Sequence, residues 1–260
     1  MDTTETVTLF DLDIMPLDFE AAAAALCASA ERHEYPAHVV VTPNVDHVVR
    51  LDRQPSLKTL YQQADYIFAD GMPIVWASRL LGKPLPERVT GADLFVTMCQ
   101  HAITRKWRVV LLGGRPGEEQ TLKQRFDEHF PGLDITVLAP SMQFDPVGPE
   151  GQHAAEKIRD IAPNLIFVCL GLPKQERWAL HHAPSFPGGI ILCVGAAMEF
   201  ALGLKSRAPR FIQRLGLEWL WRLASDPKHL WRRYLVDDPW FAIICWREWR
   251  KNQIGKRNSP

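Results

Sequence analysis

Short apolar runs recur through the first 204 residues, each stopped by glycine or a small polar group. They lie at 39–41, 66–69, 109–112, 165–170 and 190–194, and are rich in Val, Ile and Leu. Their stops are Thr42-Pro43-Asn44, Asp70-Gly71, Gly113-Gly114, Gly171 and Gly195. Helical patterns fill the gaps at 19–32, 92–104, 117–129 and 150–160. Apolar strands that alternate with amphipathic helices predict an α/β fold: a Rossmann-like, mostly parallel sheet with helices on both faces.

The pattern changes near residue 205. Residues 205–260 carry thirteen Lys/Arg against five Asp/Glu and hold six of the nine tryptophans. The whole chain balances 30 basic against 30 acidic residues, so this +8 segment leaves −8 on residues 1–204. The sequence therefore divides into an α/β core, 1–204, and a basic Trp/Arg-rich helical appendage, 205–260, that expects an anionic partner. Trp219, Trp221 and Trp231 accompany Arg207, Arg214, Arg222, Arg232 and Arg233 at helical offsets, and Trp240, Trp246 and Trp249 accompany Arg247 and Arg250. Rings at a headgroup boundary and guanidinium groups on phosphates suit the inner face of a membrane. A DNA-reading helix would carry fewer tryptophans and more Lys, Asn or Gln, so nucleic acid is not expected. Packing of the Trp face onto the core is the alternative, and a homo-oligomer could hide the same apolar face.

Composition narrows the class further. At 47% apolar and 23% charged the chain is globular rather than disordered, and no apolar run reaches the ~18 residues of a spanning helix. The acidic first twenty residues are unlike a secretory signal, and five cysteines without a CxxC read as reduced core thiols. These features predict a cytoplasmic chain with no metal and no cofactor.

The polar stops place candidate chemistry at the carboxyl ends of the strands, where open parallel sheets bind ligands. Glycines there allow close approach of a phosphate, although glycine also ends strands for conformational reasons. Asp70, followed by Gly71-Met72-Pro73, could take a proton from an attacking hydroxyl or cap the next helix, and spacing does not separate the two. Arg88, ahead of a helix, suits a diphosphate, but an ion pair with Glu87 or Asp93 is the simpler expectation. Gly171, Lys174 and Gln175 lie on a strand-to-helix turn that could touch ribose, base or phosphate. Glu199 could accept hydrogen bonds from a ribose or base. His181-His182 reads as a wet surface pair. No dinucleotide fingerprint, Walker A lysine, nucleophile elbow or HExxH occurs, which disfavours hydride transfer, ATP hydrolysis and serine hydrolysis.

Four blocks in order resemble the bacterial WecG/TagA/CpsF glycosyltransferases: Thr42-Pro43-Asn44 with Asp70-Gly71; Glu87 to Asp93 (ERVTGAD); Gly171 to Glu176 (GLPKQE); and Arg207-Ala208-Pro209 through GLEWLWRL ending at Leu223. The resemblance implies a metal-independent, inverting hexosyltransferase that moves a sugar from UDP to a polyprenyl-diphosphate-linked saccharide in surface or exopolysaccharide synthesis. It implies Asp70 as base, with Thr42, Arg88 and Gln175 beside it. The strand-end residues Asn44, Gly71, Gly113, Gly114, Gly171, Lys174, Gly195 and Glu199 would then hold the donor. The appendage would meet the inner leaflet, with Arg207, Arg222, Arg232 and Arg233 on the lipid diphosphate and Trp219, Trp221 and Trp231 at the membrane. N-acetylmannosamine is the donor sugar this family suggests. Many members carry Asp where this chain has Glu199, which raises glucose as the alternative donor; a non-catalytic nucleotide-binding membrane scaffold ranks lower.

Overall fold

The computed structural model of the chain describes residues 5–32 and 36–257, the side chains of Arg210, Arg214 and 255–257 excepted. The expectation for Arg214 therefore lies outside the described side chains. In chain order the elements are β1 (Val7–Leu9), β2 (Leu12–Ile14), α1 (Phe19–Ala30), β3 (His38–Val41), α2 (Val45–Arg53), α3 (Pro55–Tyr61), β4 (Tyr66–Ile67) and α4 (Met72–Leu80). There follow α5 (Gly91–Arg105), β5 (Arg108–Gly113), α6 (Glu119–His129), β6 (Asp134–Leu138), α7 (Pro149–Ile161), β7 (Leu165–Cys169), α8 (Lys174–His182), β8 (Ile190–Cys193) and α9 (Ala197–Ala201). The C-terminal region forms α10 (Arg210–Arg214), α11 (Glu218–Ser225), α12 (Pro227–Arg232), a π-helical turn over Arg233–Asp237, and α13 (Trp240–Arg257).

Strands β4-β3-β8-β7-β5-β6, in that order, form one six-stranded sheet in which every pairing is parallel. The five expected strands are all present. The sixth, β6, lies at an edge and buries only alternate residues, Ile135 and Val137, so it lacks the continuous apolar signature of the central strands. The antiparallel β1–β2 hairpin also went unsignalled. Its turn residues Phe10 and Asp11 adopt φ of 58° and 60° without a glycine to announce them.

Side-chain alternation sends Val39, Val41, Val110, Leu112, Ile166 and Val168 to one face of the sheet, against α2, α3, α4, α7 and α8. Val40, Val109, Leu111, Leu165 and Phe167 go to the other, against α1, α5, α6 and α9. Burial of those two sets in a dry, close-packed core is what fixes the sheet. Polar residues set the helix starts: the side chains of Asp18, Asn44 and Thr90 accept backbone N–H groups at the heads of α1, α2 and α5.

The segment after Pro239 folds as α13 and returns to the core. Phe241 and Ile244 are buried, the Phe241 ring lies 5.3 Å from that of Phe10, and Trp240 Nε1 and Arg247 Nη2 donate to Asp52 at 2.9 and 2.6 Å. Arg53 pairs with Asp237 at 2.7 Å just ahead of it. Trp246 and Trp249 stay exposed on the outer face. Among the described residues no helix is long and apolar enough to cross a membrane. The five cysteines are free.

The surface reading of the histidine pair is corrected for His182. It is buried at 3% exposure, 5.4 Å from the Trp178 ring, with Nε2 donating to the Pro146 carbonyl at 3.0 Å. The inward turn of α8 carries it into the core, and burial lowers its pKa.

Candidate functional site

Two chambers meet at the carboxyl edge of the sheet. The first, of 270 Å³, lies over β3, β7 and β8 and is walled by Thr42, His47, Gly171, Gln175, Gly195 and Phe200. The second, of 330 Å³, opens between the core and the C-terminal helices, with Met72, Pro73, Arg88, Glu218, Trp219 and Tyr234 among its walls. Asn44, Asp70, Arg222 and Arg233 line both. The volumes fall at about the lower end of the ~300–1,000 Å³ of small-molecule sites.

Asp70 follows β4 and is half-buried. It does not cap α4, whose N-cap is Gly71 at φ 119° without a side-chain bond. Instead its Oδ2 accepts the Gly91 N–H at 3.3 Å, at the head of α5. Burial pushes its pKa up to about 6; the charge of Glu218 adds to the rise, while Arg222, the Gly91 N–H and Arg88 oppose it. Asp70 is thus a carboxyl group that titrates close to neutrality in the wall between two cavities.

Gln175 serves the first chamber as a clasp. Its Oε1 accepts N–H bonds from Gly171 at 3.2 Å and Gly195 at 3.0 Å, tying the turns after β7 and β8 together. Its Nε2 donates to buried Glu176 at 2.9 Å, and burial raises the Glu176 pKa to about 7. Both ends of the amide are therefore committed within the protein. We expect Gln175→Leu, which keeps the volume and orphans these groups, to cost about 1–3 kcal/mol of stability. Denaturant midpoints measure the loss; an unchanged midpoint would show the clasp to be dispensable.

Thr42 is buried beside the clasp, and a methyl group at Gly91 would approach its Oγ1 to 2.8 Å, so glycine there gives the threonine its room. Asn44 heads α2 in a capping box: its Oδ1 accepts the His47 N–H, and His47 Nδ1 accepts the Asn44 N–H, both at 3.3 Å. Burial lowers the His47 pKa to about 4, so this imidazole is neutral, between the charged Asp46 and Arg50 in the same wall. Asn44 Oδ1 also accepts from Arg233 Nη2 at 3.3 Å.

The arginines converge from both parts of the chain. Arg88 does not pair with Glu87 or Asp93 but reaches the C-terminal helices, 3.4 Å from Glu218 and 3.1 Å from Gln213 Oε1. Arg222 binds Glu218 at 2.6 Å and lies 4.9 Å over the Phe200 ring. Arg207 forks onto Asp93 at 2.6 and 3.1 Å, with Nε 3.9 Å from Glu218. Glu218 thus holds three guanidinium groups beside Asp70. Sequence reading passed over Glu218 and Gln213, because their partners are 130 and 125 residues away.

Several expected contacts sit elsewhere. Gly113 and Gly114 do not line either chamber: a Cβ on Gly113 would meet Cys169 Cβ at 2.7 Å, and one on Gly114 would meet Leu122 Cδ1 at 2.5 Å, so close packing accounts for both. Lys174 donates to the Met142 carbonyl at 3.3 Å. Glu199 pairs with Lys205 at 2.6 Å, outside both chambers. Arg232 and Trp231 are exposed outside them, while Trp219 lines the second chamber and lies 6.0 Å from the Tyr234 ring. Trp221 is half-buried and lines neither.

Residues 7–255 match the model of the glycosyl transferase WecG/TagA/CpsF family. A Bacillus spizizenii protein named N-acetylglucosaminyldiphosphoundecaprenol N-acetyl-β-D-mannosaminyltransferase is 32% identical over 196 residues, 75% of this chain and 74% of its own length. A Staphylococcus aureus protein of the same name is 29% identical over 193 residues, 74% of each chain.

Proposed function

The chain belongs to the WecG/TagA/CpsF glycosyltransferase family, and we propose that it transfers N-acetylmannosamine from UDP to a saccharide carried on polyprenyl diphosphate. The observation that carries this reading is the position of Asp70, a carboxyl group of raised pKa shared by two cavities. One cavity is made of glycine turns at strand ends and the other is walled by arginines and aromatic rings. The two relatives are named for transfer of the same sugar.

The UDP-sugar occupies the first chamber, with its phosphates toward the glycine turns, and the acceptor sugar enters the second. Asp70 takes the proton of the acceptor hydroxyl as its oxygen bonds to the anomeric carbon. The bond from that carbon to the UDP oxygen breaks on the opposite face, so the configuration inverts and UDP leaves with the electron pair. A β-linked product, as in the relatives' names, agrees with one inversion of an α-linked nucleotide sugar. Arg222 and Arg233, which line both chambers, stabilise the charge that develops on UDP, which assigns the leaving-group role to the protein's own cations.

The glucose alternative rested on Glu199 as a donor contact, and its pairing with Lys205 outside the chambers removes that support. Exposed Trp231, Trp246, Leu235 and Arg232 support peripheral docking at the inner leaflet, where the acceptor lipid lies.

UDP release from a panel of UDP-sugars, with and without a short-chain polyprenyl-diphosphate N-acetylglucosamine, tests the reading. The expected result is acceptor-dependent release from UDP-N-acetylmannosamine, undiminished by EDTA. Release from UDP-glucose alone would overturn the donor, and loss with EDTA that Mg²⁺ or Mn²⁺ restores would overturn the metal-independent step. Failure of UDP to bind would overturn the transferase assignment for these chambers.

A further inference from the structure

Glu176 is a wholly buried acid that the chemistry above does not use. It lies in the first turn of α8 at 0% exposure, beside the buried Tyr61 and Cys193. Its Oε1 accepts from Gln175 Nε2 at 2.9 Å, while Oε2 is buried and has no hydrogen-bond partner among the described residues. Burial raises its pKa, and of the groups that oppose the rise the Gln175 amide comes first, ahead of the Glu176 N–H, Arg50 and Tyr61. A carboxyl group held in the core with an oxygen unpaired lowers stability, and an apolar side chain of the same size would pack there without that loss. Packing therefore gives no reason for an acid at this position; the bond to Gln175 does.

What that bond does follows from the shape of an amide. The two ends of a glutamine side chain are nearly alike in size, and a half-turn about the last bond exchanges the oxygen and the NH₂ group. In the observed orientation Oε1 faces two donors, the N–H groups of Gly171 at 3.2 Å and Gly195 at 3.0 Å. The reversed amide would set its own N–H groups against both. The observed orientation in turn needs an acceptor for the NH₂ group inside the core, and Glu176 is that acceptor. Gly171 and Gly195 line the first chamber together with their neighbours Leu172 and Ala196. The separation of the turns after β7 and β8 therefore depends on an amide that Glu176 holds from the side away from the chamber.

We propose that Glu176 is a positioning residue for the nucleotide donor: it fixes the Gln175 amide and, through it, the spacing of the two glycine turns that receive the donor. This rests on the assignment of the first chamber to the UDP-sugar. Glu176 touches neither substrate and moves no proton in the transfer. Its influence falls on the donor and leaves the acceptor, in the second chamber, unaffected.

Calorimetric titration of UDP into Glu176→Met and Glu176→Gln, with denaturant midpoints to verify folding, provides the test. Glu176→Met fills the space without an acceptor and should weaken UDP binding about tenfold, the scale of one orphaned donor. Glu176→Gln presents an amide oxygen where Oε1 stood and should bind UDP within about threefold of wild type. In turnover the donor KM should follow the same order, while the acceptor KM keeps its wild-type value. In a Gln175→Leu background there is no amide to orient, so adding Glu176→Met should weaken UDP binding no further. Wild-type affinity in folded Glu176→Met, or further weakening in the Gln175→Leu background, would overturn the positioning role. Wild-type protein that does not bind UDP would instead overturn the chamber assignment on which it stands. If Glu176→Met does not fold, Glu176→Asp serves, because it keeps the charge and draws the carboxylate back by one methylene. It should weaken UDP binding where Glu176→Gln does not, and equal affinity in the two would overturn the role.

Discussion

Replacing Asp70 with Asn should lower acceptor-dependent UDP release by about 10²- to 10⁴-fold while UDP binding is retained, the loss expected when a positioned base is removed. The asparagine oxygen can still accept the Gly91 N–H that Asp70 Oδ2 accepts at 3.3 Å, so the variant keeps the local fold and loses the proton acceptor. Retention of most activity would place the base elsewhere. The pH dependence gives a second test. The carboxyl titrates at about 6 and works as a base only when ionised, so kcat/KM should fall about tenfold per unit as pH drops below 6. A wild-type profile flat from pH 5 to 7 would contradict the assignment.

The same shift has a consequence for stability, of opposite sign to the usual carboxylate. Folding raises the Asp70 pKa from 3.8 to about 6, so the folded state binds the proton more tightly than the unfolded chain. The cost of holding the ionised form is absent below 3.8, grows between the two values and is complete above about 6. Asp70→Asn is free of that cost. The variant should therefore gain thermal stability over wild type as pH rises from 4 to 7, an activity loss coupled to a stability gain. A variant that is less stable than wild type at pH 7 would point to a structural carboxylate.

What could be read from the sequence follows the range of the interactions. The central strands are buried on both faces, and β5, β7 and β8 run up to glycine, so a run such as 165–170 announces β7 by composition alone. The rim residues Thr42, Asp70, Gly171 and Gly195 follow from the rule that parallel strands present their carboxyl ends to the ligand. Gly113 and Gly114 obey the same rule and yet serve packing, because a glycine that admits a phosphate and one that admits a cysteine look alike in sequence. Glu199 was misplaced for a related reason: its position after Gly195 is correct, but Lys205, six residues on, draws it away from the chambers. Gln175 was visible as a polar residue at a strand end, while its clasp depends on Gly195, twenty residues away. Glu218, Tyr234 and Asp238 enter the site only through the return of the C-terminal helices, a tertiary event that local pattern does not encode.

Arg222 carries the second large effect. Its guanidinium is the only one of the Glu218-bound arginines that lines both chambers among the described residues, and Arg88 and Arg207 each have a further anchor on Gln213 or Asp93. Arg222→Ala should therefore remove charge from the reacting region without unseating the appendage, which Arg88, Arg207, the Arg53–Asp237 pair and the Trp240–Asp52 bond continue to hold. The expected loss in kcat is about 10²- to 10³-fold, or about 2.7–4 kcal/mol, the scale of one lost donor at a developing anion. Arg222→Lys should recover only part of it, since an ammonium restores the charge but not the fork that spans Glu218 and the cleft. Loss of Arg222 should also raise the Asp70 pKa, because it is the strongest charge opposing the rise, so the acidic limb of kcat/KM should move to higher pH in Arg222→Ala. A purely structural arginine would lower activity and leave that limb where it is. The two measurements together separate a residue that acts on the chemistry from one that only fastens α11 to the core.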